Sequence, residues 1–390
     1  MGISQYWINF LSSFPPRECG IATFTQDVLT SIEKRFSPKI RCRVTAMNEN
    51  LFSTYTYPER VQLQIDEDDR DSYLLAAEKL NKCKKTKAVC IQHEFGLFGG
   101  TYGDYLIPFL EELKKPVVTT FHSILNPQDA TKTQRHIKYV VKKIAQNSSK
   151  IVVISGYGKD ILMQKYCIPE EKIAVIPHGV PPIQFGKTLE AKKELGLEGK
   201  KLMTTFGLLS NKKGIQFALK ALPQVVEKNP DLLYLIIGET HPLVRKREGE
   251  KYRNKLKKMV KDLGLKGNVK FYNKYLPVEE ICRYLQATDV YITPYFDPQQ
   301  ISSGTLAYAI GAGKACVSTP YLYAKDALRH ERGVLVPFKD SKAIANGVNR
   351  ILSDKKFREK IEANAYDYSR AWTWPKIADS YVSLFENIEK

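Results

Sequence analysis

The sequence predicts an α/β protein made of two Rossmann-like domains, each a doubly wound parallel sheet with helices on both faces. Short, continuously apolar runs alternate with longer amphipathic runs along all 390 residues, as expected for buried strands and the helices that connect them. The alternation occurs in two series, each about half of the chain. A stretch rich in Gly and Pro, residues 179–200, lies between them and reads as a linker.

Each apolar run predicts one strand. In the first series we predict strands at residues 7–11, 41–47, 88–92, 117–121, 151–154 and 173–176, with helices at 24–36, 71–80, 105–113 and 131–145. In the second series we predict strands at residues 202–206, 233–237, 269–271, 290–293, 315–318 and 334–336, with helices between them. The chain closes with an amphipathic run, residues 374–388, in which Pro375 suits the first turn of a helix.

The composition is that of an ordinary globular protein. Hydrophobic residues make up 43% and charged residues 26% of the chain, which excludes a disordered chain, a collagen and a coiled coil. No run reaches the roughly 18 apolar residues of a membrane-spanning helix, and the first residues match neither a secretory signal nor a myristoylation site. The seven cysteines are scattered without a CxxC pair, which favours reduced thiols in the cytoplasm over disulfides or a zinc site.

The net charge of +18 has two interpretations. A basic protein of this size commonly meets nucleic acid, an acidic membrane surface or a phosphorylated substrate, whereas a Lys-rich solvated surface explains the charge equally well. Basic residues cluster in residues 82–87, 132–143 and 245–266. We interpret each cluster first as a solvated helix face and second as a contact for an anionic membrane. Nucleic acid comes last, because no nucleic-acid module accompanies the clusters.

In the second series, two strand ends carry phosphate-binding chemistry, and ligands of open α/β sheets bind at the carboxyl ends of strands. The strand at 202–206 leads to Lys213 and Gly214 at the start of a helix, which offer a cation together with amide donors. The strand at 290–293 leads to the small residues 302–305, whose amides can bind one phosphate group. A capped helix is the alternative for each segment, but their joint occurrence predicts a phosphate-bearing ligand.

In the first series, three strand ends carry candidate residues. The loop after the first strand ends at Gly20, a residue that can take a positive φ before a helix. The strand at 88–92 is followed by His93 and Glu94 and by a loop containing Gly96; no second His follows at the spacing of a zinc protease. His122 ends another strand, where a structural and a functional role are equally compatible with the sequence.

Seven segments found together and in this order resemble one enzyme family: FPPRECGIATFT, QHEFGLFGG, VISGYGKDIL, VIPHGV, FGLLSNKKG, GETHPLVRKREGE and ISSGTLAYAIGAGKACVSTPY. The chain is similar over nearly its whole length to family 4 glycosyltransferases of the GT-B fold, in their mannosyltransferase-like branch. The resemblance implies an acceptor-side domain at residues 1–182 and a nucleotide-sugar-binding domain at 183–373, facing each other across a cleft. It also implies a helix within residues 374–390 that crosses back to the first domain.

The resemblance implies roles for the candidate residues. The implied catalytic residues are His122, Lys213 and Asp297. The implied donor-binding residues are Gly20, Ser210, Lys213, Glu239, Tyr275, Ser302, Ser303, Gly304, Thr305 and Leu306. The implied acceptor-side residues are His93, Glu94, Gly96 and His122. Neither a metal nor a cofactor is implied.

Two positions depart from the family pattern. Members typically carry an Arg a few residues before the lysine, where this chain has Leu208. They also carry two acidic residues eight apart beside the donor. Here the first falls approximately on Asp297 and the second on Leu306. The departures leave one diphosphate charge and the usual ribose contact unaccounted for.

The function that the resemblance implies is that of a cytoplasmic, retaining and metal-independent hexosyltransferase. It would move mannose from GDP-mannose to a hydroxyl of a sugar or a lipid-linked glycan, with no nucleic-acid partner. The basic clusters leave a peripheral contact with the anionic inner membrane face open as the alternative to a solvated surface. A glucosyltransferase using UDP- or ADP-glucose is one alternative. A catalytically weak protein that binds nucleotide sugars or polyanions is another.

Overall fold

The structure is a computed structural model that describes residues 5–49, 55–127 and 131–388. It divides the chain into two compact units. Unit 1 comprises Met1–Gly179 with Trp374–Lys390, and unit 2 comprises Val180–Thr373.

Unit 1 contains a seven-stranded sheet whose neighbouring strands are all parallel, in the order β3-β2-β1-β4-β5-β6-β7. Its strands are β1 (Tyr6–Ser12), β2 (Ile40–Asn48), β3 (Val61–Asp66), β4 (Thr86–His93), β5 (Val117–Phe121), β6 (Lys150–Val153) and β7 (Ile173–Val175). Its helices are α1 (Gly20–Phe36), α2 (Arg70–Lys82), α3 (Leu106–Glu112), α4 (Lys132–Gln146), α5 (Gly156–Tyr166) and the final helix of the chain, α15 (Trp374–Glu386).

The final helix packs on the sheet of unit 1 through its apolar stripe. Phe385 meets Phe10 of β1 edge to face at 6.5 Å, and the Tyr381 hydroxyl lies 2.8 Å from Thr120 Oγ1 of β5. Arg35 of α1 forms an ion pair with Asp379 at 2.7 Å. An amphipathic helix gains most of its stability from such packing, so the last segment of the chain is an integral part of unit 1.

Unit 2 contains a six-stranded parallel sheet in the order β10-β9-β8-β11-β12-β13. Its strands are β8 (Lys201–Phe206), β9 (Leu232–Ile237), β10 (Val269–Tyr272), β11 (Val290–Thr293), β12 (Ala315–Ser318) and β13 (Val334–Leu335). Its helices are α6 (Thr188–Glu194), α7 (Ile215–Lys228), α8 (Pro242–Glu248), α9 (Lys251–Asp262), α10 (Val278–Ala287), α11 (Gly304–Gly311), α12 (Leu322–Leu328), α13 (Ser341–Ser353) and α14 (Lys355–Ser369).

The predicted fold class is confirmed: two parallel-sheet α/β units and a helical C-terminus. The sequence analysis missed β3, because this edge strand alternates partly buried and exposed positions instead of forming a continuous apolar run. The positive φ that a glycine can take is not adopted at Gly20. Gly20 is the first residue of α1, which begins four residues before the predicted start at Phe24, and it is absent from the positive-φ glycines.

Both sheets reverse their strand order beside the first strand of the unit, between β1 and β4 and between β8 and β11. Loops that leave neighbouring strands in opposite directions open a crevice at such a switch point, and ligands of doubly wound sheets bind there. In each unit, the loops that follow the two strands at the switch point therefore border this crevice. In unit 2 they are the loops that follow β8 and β11.

Candidate active site

The loops after β8 and β11 interlock at a glycine. Gly214 has φ +64°, and a Cβ at this position would lie 1.9 Å from the carbonyl oxygen of Pro294. The Phe296 amide also donates to the carbonyl oxygen of Lys212 at 3.3 Å. Only glycine allows both the left-handed backbone and the close approach, so the β8 loop lies directly against the β11 loop.

A pair of glycines joins the β8 loop to the β9 loop. Gly238 has φ +133°, and a Cβ there would lie 2.2 Å from the carbonyl oxygen of Gly207. Beyond the glycines, the Leu209 amide donates to the Glu239 carbonyl oxygen at 2.7 Å, and the His241 amide donates to the Leu209 carbonyl oxygen at 2.9 Å. These backbone hydrogen bonds continue the pairing of β8 and β9 beyond the ends of the strands, and they fix the position of the two loops relative to each other.

Lys213, Tyr295 and Thr305 form a connected set at the switch point of unit 2. The Lys213 ammonium lies 4.1 Å from the centre of the Tyr295 ring. The Tyr295 hydroxyl lies 3.0 Å from Thr305 Oγ1 in the first turn of α11. Tyr295 is fully buried and stacks on Tyr321, with ring centres 5.3 Å apart. The cation predicted from the β8 loop and the helix start predicted from the β11 loop are thus brought together.

The N-terminus of α11 supplies amide donors, but fewer than the sequence implied. Ser303 caps the helix by accepting a hydrogen bond from the Leu306 amide at 3.3 Å. The amides of Gly304 and Thr305 remain the ones in this turn that suit an anion, because the first amides of a helix lack partners within the helix. The Leu306 side chain is fully buried, so it contributes to the core and not to a ligand contact.

The other implied donor-side residues lie in the same group of loops. Ser210 precedes the short 3-10 turn Asn211–Lys213, and the Glu239 carboxylate pairs with Arg245 at 3.2 Å. Tyr275 follows β10 and is 37% exposed. Asp297 accepts a hydrogen bond from the Gln299 amide and lies 3.6 Å from the Lys212 ammonium. Ser302 directly precedes the cap, and its carbonyl oxygen accepts from Gln300.

Arg253 is a residue that the sequence did not single out. It lies in the basic run that we interpreted as a solvated face, yet its side chain is only 2% exposed. It donates to the Gly238 carbonyl oxygen at 2.9 Å and to Glu250 at 3.0 Å. In the described part of the chain its Nη1 has no partner. A buried guanidinium therefore supports the β9 loop from beneath, and no sequence signal distinguishes it from its exposed neighbours.

In unit 1, His122 follows β5 and is 6% exposed. Its Nε2 lies 2.8 Å from Gln92 Oε1, and the Gln92 amide nitrogen donates to Cys90 Sγ. With an amide oxygen facing it, Nε2 carries the ring proton. Burial, reinforced by His178 and His93, lowers the pKa of His122 to about 3. The imidazole is therefore neutral near pH 7 and acts as a hydrogen-bonding group.

An aromatic cluster surrounds His122. The Phe24 ring of α1 lies edge to face against His122 at 4.7 Å, against His178 at 5.1 Å and against Trp374 at 5.4 Å. His178 belongs to the VIPHGV segment that the sequence marked without assigning it a role. Its pKa is lowered to about 4 by burial. Helix α1, the end of β5 and the start of α15 therefore meet around two neutral histidines, His122 and His178.

His93 is enclosed instead of open to an acceptor. It is fully buried at the end of β4, with the rings of Phe95, Phe98 and Phe121 at 5.0, 5.7 and 4.8 Å. Neither ring nitrogen has a hydrogen-bond partner among the described residues. Burial lowers the pKa of His93 to about 3. The structure places this implied acceptor-side residue inside the base of the β4 loop.

Glu94 turns back onto its own unit. Its Oε1 accepts from the Phe95 amide at 3.0 Å and from the Ser123 hydroxyl at 2.6 Å, which ties the β4 loop to the residue after His122. Gly96 and Gly20 are both positions where an added Cβ would meet nothing within 4 Å. Glycine at these two positions leaves the surface open.

Comparison with known proteins identifies the family. Residues 187–368 match the family described as "Glycosyl transferases group 1", and residues 89–183 match "Glycosyltransferase Family 4". Together the two matches cover more than two thirds of the chain and fall in the two units in the order of a GT-B protein. The chain belongs to the group 1 glycosyltransferases.

Curated relatives of this glycosyltransferase share about a quarter of its residues. The uncharacterized glycosyltransferase MJ1607 of Methanocaldococcus jannaschii is 26% identical over 250 residues, 61% of this chain and 60% of that protein. The alpha-monoglucosyldiacylglycerol synthase of Streptococcus pneumoniae is 24% identical over 338 residues, 80% of this chain and 71% of that protein. The match thus spans about 60% of the length of the first relative.

A solved structure shows the same fold at lower identity. Alr3699/HepE of Anabaena, in complex with UDP and glucose, superposes with a TM-score of 0.76 at 16% identity, covering 98% of this chain and 100% of that chain. At this identity the likeness shows the fold, and the GT-B prediction is confirmed by it. The mannosyltransferase-like branch is not distinguished by these comparisons.

The described residues of this glycosyltransferase contain no group of three or more His, Cys, Asp or Glu side chains that could hold a metal ion. Within the same residues, no helix is both long enough and apolar enough to cross a membrane. Basic side chains are exposed along α9, apart from the buried Arg253. On α4, Lys132 and Arg135 are exposed, whereas the other basic side chains are partly buried. They accompany Tyr139, which is 49% exposed.

Proposed function

We propose that this glycosyltransferase transfers a hexose from a nucleotide sugar to a hydroxyl of a sugar or glycolipid, with retention of configuration and without a metal ion. The observation that carries the proposal is the meeting of Lys213 with the first turn of α11 at the switch point of unit 2. Lys213 reaches this turn through Tyr295, by contacts of 4.1 and 3.0 Å. An ammonium and helix N-terminal amides together are the donors that a diphosphate requires.

The chemistry follows from where charge develops. As the glycosidic bond of the donor breaks, the departing nucleoside diphosphate gains negative charge. A cation and amide dipoles that are already in place stabilise this charge without reorganising. In this proposal Lys213 and the amides of Gly304 and Thr305 bind the leaving group, and the donor phosphate accepts the proton of the acceptor hydroxyl. No protein nucleophile is required.

His122 is assigned to the sugar side of the reaction. A neutral imidazole is an uncharged hydrogen-bonding group, which suits a sugar hydroxyl better than a phosphate. Glu94 and Gly96 belong to the β4 loop on the same edge of the unit 1 sheet. We assign this loop to the acceptor, with His93 supporting it from inside.

We propose GDP-mannose as the donor, on the strength of the resemblance to the mannosyltransferase-like branch. UDP-glucose is the second candidate. It is favoured by two similar proteins, one a synthase of a glucosylated lipid and the other crystallised with UDP and glucose. In this proposal the Tyr275 backbone contacts the nucleobase and Glu239 contacts the sugar, so these two residues would distinguish GDP-mannose from UDP-glucose.

A different function, binding of a nucleotide sugar without turnover, is favoured by one observation. Leu306 is fully buried, so the carboxylate that usually grips the donor ribose has no substitute at this position. Leu208 likewise brings no charge. A binding protein would retain affinity for a nucleoside diphosphate while transferring nothing.

A donor panel tests these assignments. The purified chain is incubated with GDP-mannose, UDP-glucose and ADP-glucose, and release of nucleoside diphosphate is measured with and without a mixture of sugar and glycolipid acceptors. Turnover with one donor that rises on adding an acceptor is the expected result. Binding of a nucleoside diphosphate without turnover of any donor would instead support the binding protein.

A further inference from the structure

Among the described residues, Tyr295 joins the two halves of the candidate phosphate site, Lys213 and the first turn of α11. It follows β11 directly after Pro294 and is fully buried. The Lys213 ammonium lies over its ring, and its hydroxyl reaches Thr305 on α11. The ring of Tyr321 stacks on it, inclined by only 17°. Tyr295 is therefore held by a stacked ring and by a hydroxyl contact while it lies against the ammonium.

This geometry constrains a lysine that would otherwise be mobile. A lysine side chain has four rotatable bonds and loses substantial entropy when one conformation is selected. An aromatic face attracts an ammonium within about 6 Å of the ring centre, and here the distance is 4.1 Å. Because the ring itself is held by Tyr321 and Thr305, it can fix the ammonium before any ligand arrives. Preorganised charge is more effective in catalysis than charge that must move into place.

We propose that Tyr295 is a positioning residue that holds the Lys213 ammonium against the first turn of α11, so that both bind the same diphosphate. The inference rests on the proposed function, and it adds a residue that acts through Lys213, with Thr305 holding the tyrosine in place. It also accounts for Leu208. A site that lacks the usual second cation depends more strongly on the exact position of the one it has.

The test is a double-mutant cycle on donor turnover. We compare the wild type, Lys213→Ala, Tyr295→Leu and the double variant, measuring kcat and donor KM for each. Tyr295→Leu alone should lower kcat/KM by roughly 3- to 30-fold, the range of a cation–π contact. In the Lys213→Ala background the same change should lower kcat/KM by less than about twofold, because the group through which Tyr295 acts is absent.

Two further variants keep the test decisive. Tyr295→Phe retains the ring beneath Lys213 and should keep more activity than Tyr295→Leu. Tyr323→Phe is the matched control, since Tyr323 is another buried tyrosine of unit 2 whose hydroxyl has no partner among the described residues. Thermal unfolding is recorded for every variant. If the Leu variant does not fold, Tyr295→Met takes its place in the cycle.

The outcomes separate this inference from the proposed function. Equal losses from the Tyr295 substitution in both backgrounds would indicate a structural role and overturn the inference, while turnover by the wild type would leave the function standing. If no donor is turned over, the same four proteins are titrated with UDP and GDP by calorimetry. Coupling in the affinities would support the inference without the function. Additive affinities, or no binding by the wild type, would overturn it.

Discussion

The cation in the β8 loop is the residue whose removal most directly tests the candidate site. Replacing Lys213 with Ala should lower kcat/KM by roughly 30- to 1000-fold, the usual effect of losing one preorganised partner of a developing oxyanion. The side chain is only partly buried, so the fold should be unaffected.

Lys220→Ala is the matched control for this change, because Lys220 is an exposed lysine of α7 in the same unit. Steady-state kinetics with the donor selected by the panel provide the measurement. Wild-type activity in Lys213→Ala would place the diphosphate elsewhere.

His93 makes a prediction about pH. Its pKa falls from about 6.5 in an unfolded chain to about 3 in the folded protein because of burial. Between these values the unfolded chain binds a proton that the folded protein does not. The free energy of unfolding should therefore be highest above pH 6.5 and fall as the pH drops toward 4, by up to about 1.4 kcal/mol per pH unit for each such histidine.

Replacing His93 with Leu should remove the contribution of one proton from the pH dependence of the free energy of unfolding. The ring nitrogens have no partner among the described residues, so an apolar side chain of similar size costs no hydrogen bond and should preserve or raise stability at pH 5. Urea unfolding at several pH values between 4.5 and 8 measures both slopes. Identical slopes for wild type and variant would show that His93 is not neutral in the folded protein.

At the scale of elements, the packing of the β8 loop on the β11 loop can be tested at one atom. In Gly214→Ala the new methyl group would collide with the Pro294 carbonyl oxygen and the backbone would remain at positive φ. The loops should move apart, and we expect kcat/KM to fall roughly 10- to 100-fold, since small displacements of catalytic groups have effects of this size. The free energy of unfolding should fall by about 1–3 kcal/mol.

Gly264→Ala is the matched control for Gly214→Ala. Gly264 also has positive φ, +70°, but a Cβ there would meet nothing within 4 Å. It should cost only the backbone strain, about 1 kcal/mol, and leave the kinetics unchanged. Equal kinetic losses in the two variants would show that strain, and not the loop contact, governs the site.

At the scale of the whole molecule, the absence of a metal-ligand cluster in the described residues predicts the response to chelation. Lys213 and the α11 amides would supply the positive potential that a divalent ion supplies in other enzymes. Transfer should therefore continue in saturating EDTA. Loss of activity that Mg²⁺ or Mn²⁺ restores would contradict the metal-independent assignment.

The net charge of +18 makes a prediction that separates lipid-linked from free acceptors. If the exposed basic side chains of α4 dock on an acidic leaflet, each contributes about 1 kcal/mol. The chain should then co-sediment with anionic vesicles at low salt, less so at 0.15 M salt, where the Debye length is about 8 Å, and not with zwitterionic vesicles. Equal behaviour with both lipids at low salt would favour a sugar acceptor in solution.

Much of the fold could be predicted because it is encoded in local pattern. Strands buried on both faces appear as continuous apolar runs, and loops after them carry Gly, Ser and Lys at positions that neighbouring residues in the sequence define. The half-exposed edge strand β3 and the early start of α1 were not predicted, because neither has a continuous apolar run to mark it.

The sequence by itself determined the two α/β domains, the family and the strand ends where Lys213 and the small residues before α11 lie. Only the tertiary structure decided which side chains meet there. Tyr295 beneath Lys213, Arg253 buried under the β9 loop and His93 enclosed by phenylalanines all depend on partners from other segments of the chain. The periodicity of apolar residues indicates which side of a segment faces the core. The burial and the partners of a single side chain depend on other elements, which come close to it only when the chain folds.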